Sequence, residues 1–227
     1  MTPQISESQS RQAWELARRQ HGVVTRGQLM DLGFSAEAIK HRVQKGRLHT
    51  VVRGVYAVGR PNLTREGRWM AAVLACGPGA VLSHRSAAAL WGFGNEHPHY
   101  IDVSVGRASE ARLIGLRCHR RPSLPSKEFT TRLNIPLTQP VRTFLDLATV
   151  TGPKTLERAI NEADKLHVID ADSLRRVLDD HPGEPGVRLL RHVLDEHTFR
   201  LSDDELERPP RPRLVTLSAS RSTPRPV

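Results

Sequence analysis

The chain has 227 residues, of which 26% are charged and 38% hydrophobic, and this composition is typical of a folded protein with one large domain or two small ones. Its 34 Lys and Arg residues outnumber 24 Asp and Glu residues, and the net charge of +10 favours a polyanionic partner, most commonly nucleic acid. No signal pattern and no apolar run near the roughly 18 residues of a membrane span is present, so we expect a cytoplasmic protein without membrane contact.

The first 60 residues predict a winged helix-turn-helix. Thr25 and Ser35 are the expected caps of the second and third of three short helical patterns, which glycines separate, and two β-branched runs follow. The expected elements are helices over Ser10–Gln20, Arg26–Leu32 and Ser35–Lys45, and strands over Leu48–Val52 and Val55–Val58 joined at Arg53-Gly54. We therefore assign residues 8–60 to a DNA-binding domain.

Residues 61–197 predict an α+β domain with a small sheet and a helical C-terminal half. Helical patterns end at Cys76 and surround Trp91, and a change of period then indicates three strands. The expected strands are Tyr100–Val105, Leu113–His119 and Phe129–Ile135, and the later helices are Val141–Val150, Pro153–His167, Ser173–Asp180 and Val187–Glu196. The last segment, 198–227, ends in a stretch with five Arg, five Pro and no acidic residue, which we interpret as a disordered basic tail.

The third helix is the expected recognition helix, because the second helix of a helix-turn-helix enters the major groove. Arg42 and Gln44 have side chains that can make bidentate contacts with bases, whereas lysines suit phosphates, which fix register without reading sequence. An arginine at a wing tip can lie in the minor groove or on the DNA backbone. The full set of candidate DNA-binding residues is Thr25, Arg26, Gln28, Ser35, Lys40, His41, Arg42, Gln44, Lys45, Arg47 and Arg53.

Charge is concentrated in the same segment. Residues 21–60 hold seven Lys and Arg against two acidic residues, a net charge of +5 that is half of the surplus of the whole chain. A solvated basic face on a winged helix that binds protein would have the same composition, so that alternative stays open.

Other groups of polar residues carry weaker signals. His84-Arg85-Ser86 has no aspartate at a defined spacing, so we interpret His84 as a structural hydrogen-bonding residue. His97 and His99 with Glu96 lack a third placed ligand. The basic cluster Arg117 to Arg121 is either an extension of a nucleic-acid surface or a charged sheet edge. Cys76 and Cys118 share no metal-type spacing and are expected to be buried thiols. We predict no metal and no cofactor.

The order of motifs resembles the AbiEi family, the antitoxin component of type IV toxin–antitoxin systems. The matching segments are Gly22–Thr25, Gln28-Leu29, Leu32-Gly33, Ile39, Arg42-Val43, Gly46–Leu48, Arg53–Tyr56, Leu82–Ala88, Trp91-Gly92 and Pro140–Ala148. The resemblance implies a transcriptional repressor that binds double-stranded DNA at inverted repeats in its own promoter. It also implies a nucleotidyltransferase-like toxin that the antitoxin counteracts without a stable complex. We expect a homodimer through residues 61–197, because two half-sites read together supply operator specificity that one small module lacks.

A second resemblance lies at the end of the chain. Leu201–Arg208 is similar to the opening helix of a PD-(D/E)xK nuclease-like domain, in which carboxylates and an acidic-x-Lys element hold a metal. Residues 209–227 contain no Asp and no Glu, so the carboxylates that should follow Glu207 are missing. We therefore interpret 198–227 as a remnant of that helix with an out-of-frame tail, and predict no enzymatic activity. The alternatives are a truncated metal-dependent DNA endonuclease relative and a protein-interaction module.

Overall fold

A computed structural model of the chain describes residues 6–106, 115–122 and 125–205, with side chains as far as residue 196. The fold is α+β, as predicted, with two small sheets and nine α-helices in the described part. None of the helices in these residues is both long and apolar enough to cross a bilayer.

The N-terminal part has the element order of the predicted winged helix-turn-helix. Its elements are α1 (Glu7–Arg19), β1 (Val23–Thr25), α2 (Arg26–Asp31), α3 (Ala36–Gln44), β2 (Leu48–Val52) and β3 (Val55–Val58). The three strands form an antiparallel sheet in the order β1-β3-β2. The two hairpin strands have the predicted bounds, whereas the sequence did not predict β1, which pairs with β3 from Val23 to Thr25.

Side-chain caps explain where these helices begin. The hydroxyls of Ser6, Thr25 and Ser35 accept hydrogen bonds from the backbone N–H groups three residues later, which would otherwise lack partners at a helix start. Gly33, at φ +86°, makes the left-handed turn between α2 and α3. The helices then pack Leu29, Phe34, Ile39 and other apolar side chains into one small core.

The second part contains a five-stranded mixed sheet. Its elements are α4 (Arg65–Cys76), β4 (Val81–Leu82), α5 (His84–Trp91), β5 (Ile101–Gly106), β6 (Leu116–Arg121), β7 (Phe129–Arg132), β8 (Ile135–Thr138), α6 (Pro140–Ala148), α7 (Pro153–Lys165), α8 (Ala171–Leu178) and α9 (Val187–Glu205). The strand order is β6-β5-β4-β8-β7, in which the β5–β6 and β4–β8 pairs are parallel.

Three sequence expectations for this part need correction. The single strand expected over Phe129–Ile135 is wrong, because Leu133 and Asn134 adopt left-handed angles, φ 49° and 60°, and turn the chain back as a β7–β8 hairpin. Leu113 and Ile114 of the strand expected over Leu113–His119 lie outside the described residues, and the observed strand runs from Leu116 to Arg121. Helix α9 extends past Glu196 to Glu205, and the expected basic tail lies outside the described residues.

Two further apolar cores hold this part together. Helices α6 to α9 enclose one of them around Phe144, Leu156 and Leu190. The other lies between α4 and the five-stranded sheet, around Trp69 and Leu137, and it also includes Val23 and Val55 from the N-terminal sheet. The N-terminal sheet is therefore packed directly on α4. The domain boundary at residue 60 stays a prediction.

Candidate nucleic-acid interface

Helix α3 presents one apolar face and one polar face. Ala38 and Ile39 are buried in the N-terminal core, which turns Lys40, His41 and Gln44 toward solvent on the opposite side. Lys45 and Arg47, just beyond the end of the helix, are also exposed. The exposed face therefore carries donors and cations at helical spacing, which is the arrangement that a groove-binding helix needs.

Thr25, Gln28 and Ser35 hold the helix starts in place. Thr25 Oγ1 accepts from the Gln28 backbone at 3.1 Å, and Gln28 Oε1 accepts from the Thr25 backbone at 2.9 Å, so the two form a capping box. Gln28 Nε2 also donates to Gln20 Oε1 at 2.7 Å, and Ser35 caps α3. Their side-chain hydrogen-bonding groups are thus engaged within the protein, and their contact with DNA remains a prediction.

Arg42 lies differently from the other candidates on α3. Its guanidinium carbon is 4.8 Å from the centre of the Phe34 ring, so the side chain folds back over an aromatic face and is half-buried. Desolvation and the positive charge of Arg47 lower the pKa of Arg42 below its usual value. The side chain that the sequence assigned to base reading therefore lies at the edge of the helix face and not at its centre.

The wing tip lies beside the start of α2. The backbone N–H of Arg26 donates to the Gly54 carbonyl at 2.8 Å, which fixes the hairpin turn against that helix. Gly54 has φ +82°, and the side chains of Arg26 and Arg53 are both exposed. Two cations from separate elements are therefore positioned on one connected surface.

The exposed cations of this surface have no anionic partner in the protein. Within residues 6–106, 115–122 and 125–196, no carboxylate forms an ion pair with any of them. They are Arg26, Lys40, Lys45, Arg47 and Arg53. We call this set the basic face. Because its charges are not neutralised internally, it is available to a polyanion.

A second group of charges, which the sequence did not reveal, lies under α5 and α6. His119 Nε2 is 2.8 Å from Asp102 Oδ1, and the rings of His84 and His119 stack with centroids 3.5 Å apart. Arg121 forms an ion pair with Asp146, which also accepts from Arg142 Nε at 3.0 Å. We call these residues the buried charge cluster. The sequence signal for it is the alternation of polar with apolar residues, at Asp102 and Ser104 in β5 and at Arg117 and His119 in β6.

The cluster does not have the arrangement of a hydrolytic site. Ser83 Oγ is 2.9 Å from His84 Nδ1, but the same nitrogen is the one nearest Asp146, at 3.9 Å, so no relay passes through the ring. One oxygen of Asp102 and one of Asp146 lack a hydrogen-bond partner in the described residues. No group of three or more His, Cys, Asp or Glu residues there is placed to hold a metal.

The remaining candidates have identifiable structural contacts. Glu96 accepts a hydrogen bond from Trp69 Nε1 at 3.0 Å, and His97 stacks on Tyr100 at 3.7 Å. The basic cluster on β6 is divided, because His119 and Arg121 turn inward, whereas Arg117 and Arg120 are exposed at the sheet edge. The sulfur atoms of the two cysteines, far apart in sequence, approach to 3.7 Å between α4 and β6.

Comparison with known proteins supports the N-terminal resemblance. Residues 11–59 match the family model described as "Transcriptional regulator, AbiEi antitoxin", so the predicted likeness is confirmed over the segment that carries the basic face. No curated protein matches the chain. Among solved structures, the crystal structure of the RV2827C protein from Mycobacterium tuberculosis is similar, with 20% identity and a TM-score of 0.50. The match covers 85% of this chain and 78% of that one and concerns the fold alone.

Proposed function

We propose that this chain is a sequence-specific regulator of transcription that binds double-stranded DNA through its basic face. The match of residues 11–59 to a family of transcriptional regulators supports a regulatory role. The observation that carries DNA binding is a set of five exposed cations at the start of α2, on α3, in the turn after α3 and at the wing tip. Within the described residues none of them forms an ion pair with a carboxylate. Such a surface attracts the phosphate backbone, and an exposed helix within it can reach base edges.

The geometry suggests distinct roles for the side chains. Gln44 and His41, in the middle of the exposed face of α3, are placed to contact base edges in the major groove. Lys40, Lys45 and Arg47 flank them and suit phosphates. Arg53 would enter the minor groove or follow the backbone, while the Arg26 side chain at the start of α2 would bind a phosphate.

The operator is proposed to be an inverted repeat in the protein's own promoter. Two copies of the chain, each reading one half-site, would supply the specificity that one small module lacks. The part from residue 61 to 197 is then the region for self-association or partner contact. The proposed partner in the cell is a nucleotidyltransferase-like toxin, counteracted in the cytoplasm without a stable complex.

An electrophoretic mobility shift with the DNA upstream of the gene tests the proposal. If each cation of the basic face neutralises one phosphate, the logarithm of the binding constant falls against log salt with a slope of about −4.5 per bound copy. Lys40→Ala should weaken binding and reduce that slope by about 1. Lys154→Ala removes an exposed lysine from α7, far along the chain, and serves as the matched control.

Three results would contradict the proposal in different ways. Salt-independent or absent binding would favour a protein-interaction module over a DNA-binding one. An equal loss of DNA-binding affinity in Lys40→Ala and Lys154→Ala would indicate a diffuse charge effect without a defined binding face. Cleavage of the probe in magnesium, lost on Glu207→Ala, would instead identify an endonuclease.

A further inference from the structure

A hollow of about 360 Å³ lies inside the N-terminal part, between α1, α3 and the base of the β2–β3 hairpin. Its floor consists of the buried side chains of Leu29, Phe34 and Leu48. Trp14 forms one wall, and 57% of its surface is exposed. The volume falls at the lower end of the range of small-molecule sites, about 300–1,000 Å³, and the lining is apolar and aromatic, as in such sites.

Two arginines lie at the edge of this hollow. The Arg47 backbone N–H donates to the Arg42 carbonyl at 2.9 Å, which holds the two residues together at the end of α3. The guanidinium of Arg42 lies over the Phe34 ring. Neither arginine forms an ion pair with a carboxylate in the described part of the chain. Two adjacent cations beside an apolar floor repel each other and are stabilised by an anion.

Trp14 is placed to complete such a site. Its ring lies directly over Gly59, where a Cβ atom would come within 2.5 Å of the Trp14 Cη2 atom. Gly59 has φ +78°, so both its backbone and the space above it favour glycine. The exposed indole is therefore packed on the hairpin at one side and open to the hollow at the other.

We infer that this hollow binds a small aromatic carboxylate. The carboxylate would lie between Arg42 and Arg47, and the ring would pack on Phe34 and against Trp14. A free phosphate or a DNA phosphate would satisfy the arginines but leave the apolar floor empty, so the two parts of the site together specify an amphipathic anion.

The location implies regulation of DNA binding, and this step rests on the proposed function. Arg47 belongs to the basic face and Arg42 to the same end of α3. A ligand that engages both guanidinium groups withdraws them from phosphates. Ligand and DNA therefore compete, and by linkage each weakens the other by the same factor.

Calorimetric titration of the full chain with 2-naphthoate, without DNA, tests the site itself. We expect one naphthoate per chain and roughly tenfold weaker binding in Arg47→Ala, which removes one charge-assisted hydrogen bond. Arg42→Lys, which keeps the charge and loses the planar fork, should weaken binding less than Arg42→Ala. Trp14→Phe should change affinity little, and Trp14→Ala should lower it. Circular dichroism checks that each variant is folded.

Controls separate the site from general attraction of anions. Arg53→Ala removes a cation of the basic face outside the hollow, so it should leave naphthoate binding unchanged while weakening DNA binding. Equal binding of the neutral 2-naphthalenemethanol, equal binding of inorganic phosphate, or an equal effect of Arg53→Ala would each overturn the proposal. No binding of naphthoate at millimolar concentration would also do so.

Fluorescence anisotropy with labelled upstream DNA then measures the coupling. Naphthoate should weaken DNA binding by the wild-type chain and have less effect in Arg47→Ala. Unchanged DNA binding in saturating naphthoate would overturn the regulatory step alone. If the chain binds no DNA at all, the proposed function fails, and the calorimetric result still decides whether the hollow is a ligand site.

Discussion

His84 provides the sharpest test of the electrostatics inside the buried charge cluster. The ring is only 5% exposed, it stacks on His119, and its backbone holds a left-handed angle of φ 49° at the first residue of α5. Burial lowers the pKa of His84 to about 2, and the neighbouring His119 ring and the positive charges of Arg121, Arg142 and Arg117 act in the same direction. The ring is therefore neutral in the folded protein at any pH near neutrality.

The size of the effect follows from proton linkage. In the unfolded chain the pKa of this histidine returns to about 6.5, so below that pH the unfolded state binds a proton that the folded state does not. Stability from this residue is complete above pH 6.5 and is lost as the pH falls toward 2, by about 1.4 kcal/mol per pH unit. Between pH 7 and pH 5 the expected loss is about 2 kcal/mol.

Urea unfolding of wild type and His84→Asn at both pH values measures this contribution. Asparagine does not titrate and tolerates the left-handed angle better than most residues, so it removes the proton without imposing a new backbone conformation. Between pH 7 and pH 5 the free energy of unfolding of the variant should fall by about 2 kcal/mol less than that of wild type. His167→Asn is the matched control, since His167 has φ 53° but is exposed. An unchanged pH dependence in His84→Asn would refute the reasoning.

Three further predictions concern recognition, reactivity and packing. Gln44→Ala should reduce discrimination between operator and mutated operator, whereas Lys45→Ala should weaken both equally, as competition mobility shifts would measure. Burial, with the neighbouring Cys118, raises the pKa of Cys76 to about 12, so iodoacetamide at pH 8 should label Cys76 far more slowly in the folded protein than in urea, as mass spectrometry would detect. Gly67→Ala should lower the free energy of unfolding in urea by about 1 kcal/mol. The new Cβ would lie 2.8 Å from the His21 carbonyl oxygen, and the cost of this overpacking exceeds the gain in helix propensity.

Local signals in the sequence located most of the N-terminal part. Ser35 and Thr25 are caps as predicted, and the β2–β3 hairpin has the expected bounds because Arg53-Gly54 turns between two β-branched runs. Strand β1 was missed because it is only three residues long and exists through pairing with β3, some 30 residues later. Neither hydrophobic period nor turn chemistry reports such a pairing.

The sequence does not reveal the environment of polar residues whose burial depends on packing. Asp102 and Ser104 alternate with Val103 and Val105, a pattern typical of a strand with one wet face. Both faces of β5 are in fact covered, so Asp102 is buried against His119, and Ser104 accepts from Arg121 Nε at 2.9 Å. Alternation identifies the two faces of a strand, but it does not say whether the polar face meets water or another helix.

The packing of α4 connects the basic face to the rest of the fold. Val23 and Val55 belong to the strands that carry Thr25 and the wing tip, and both are buried in the apolar core built around Trp69 of α4. His21, in the turn that precedes β1, places Nε2 2.6 Å from the Leu133 carbonyl at the tip of the β7–β8 hairpin. The orientation of the wing is therefore fixed by residues far along the chain. A change in how α4 or that hairpin packs would move Arg26 and Arg53 relative to the rest of the basic face without touching either of them.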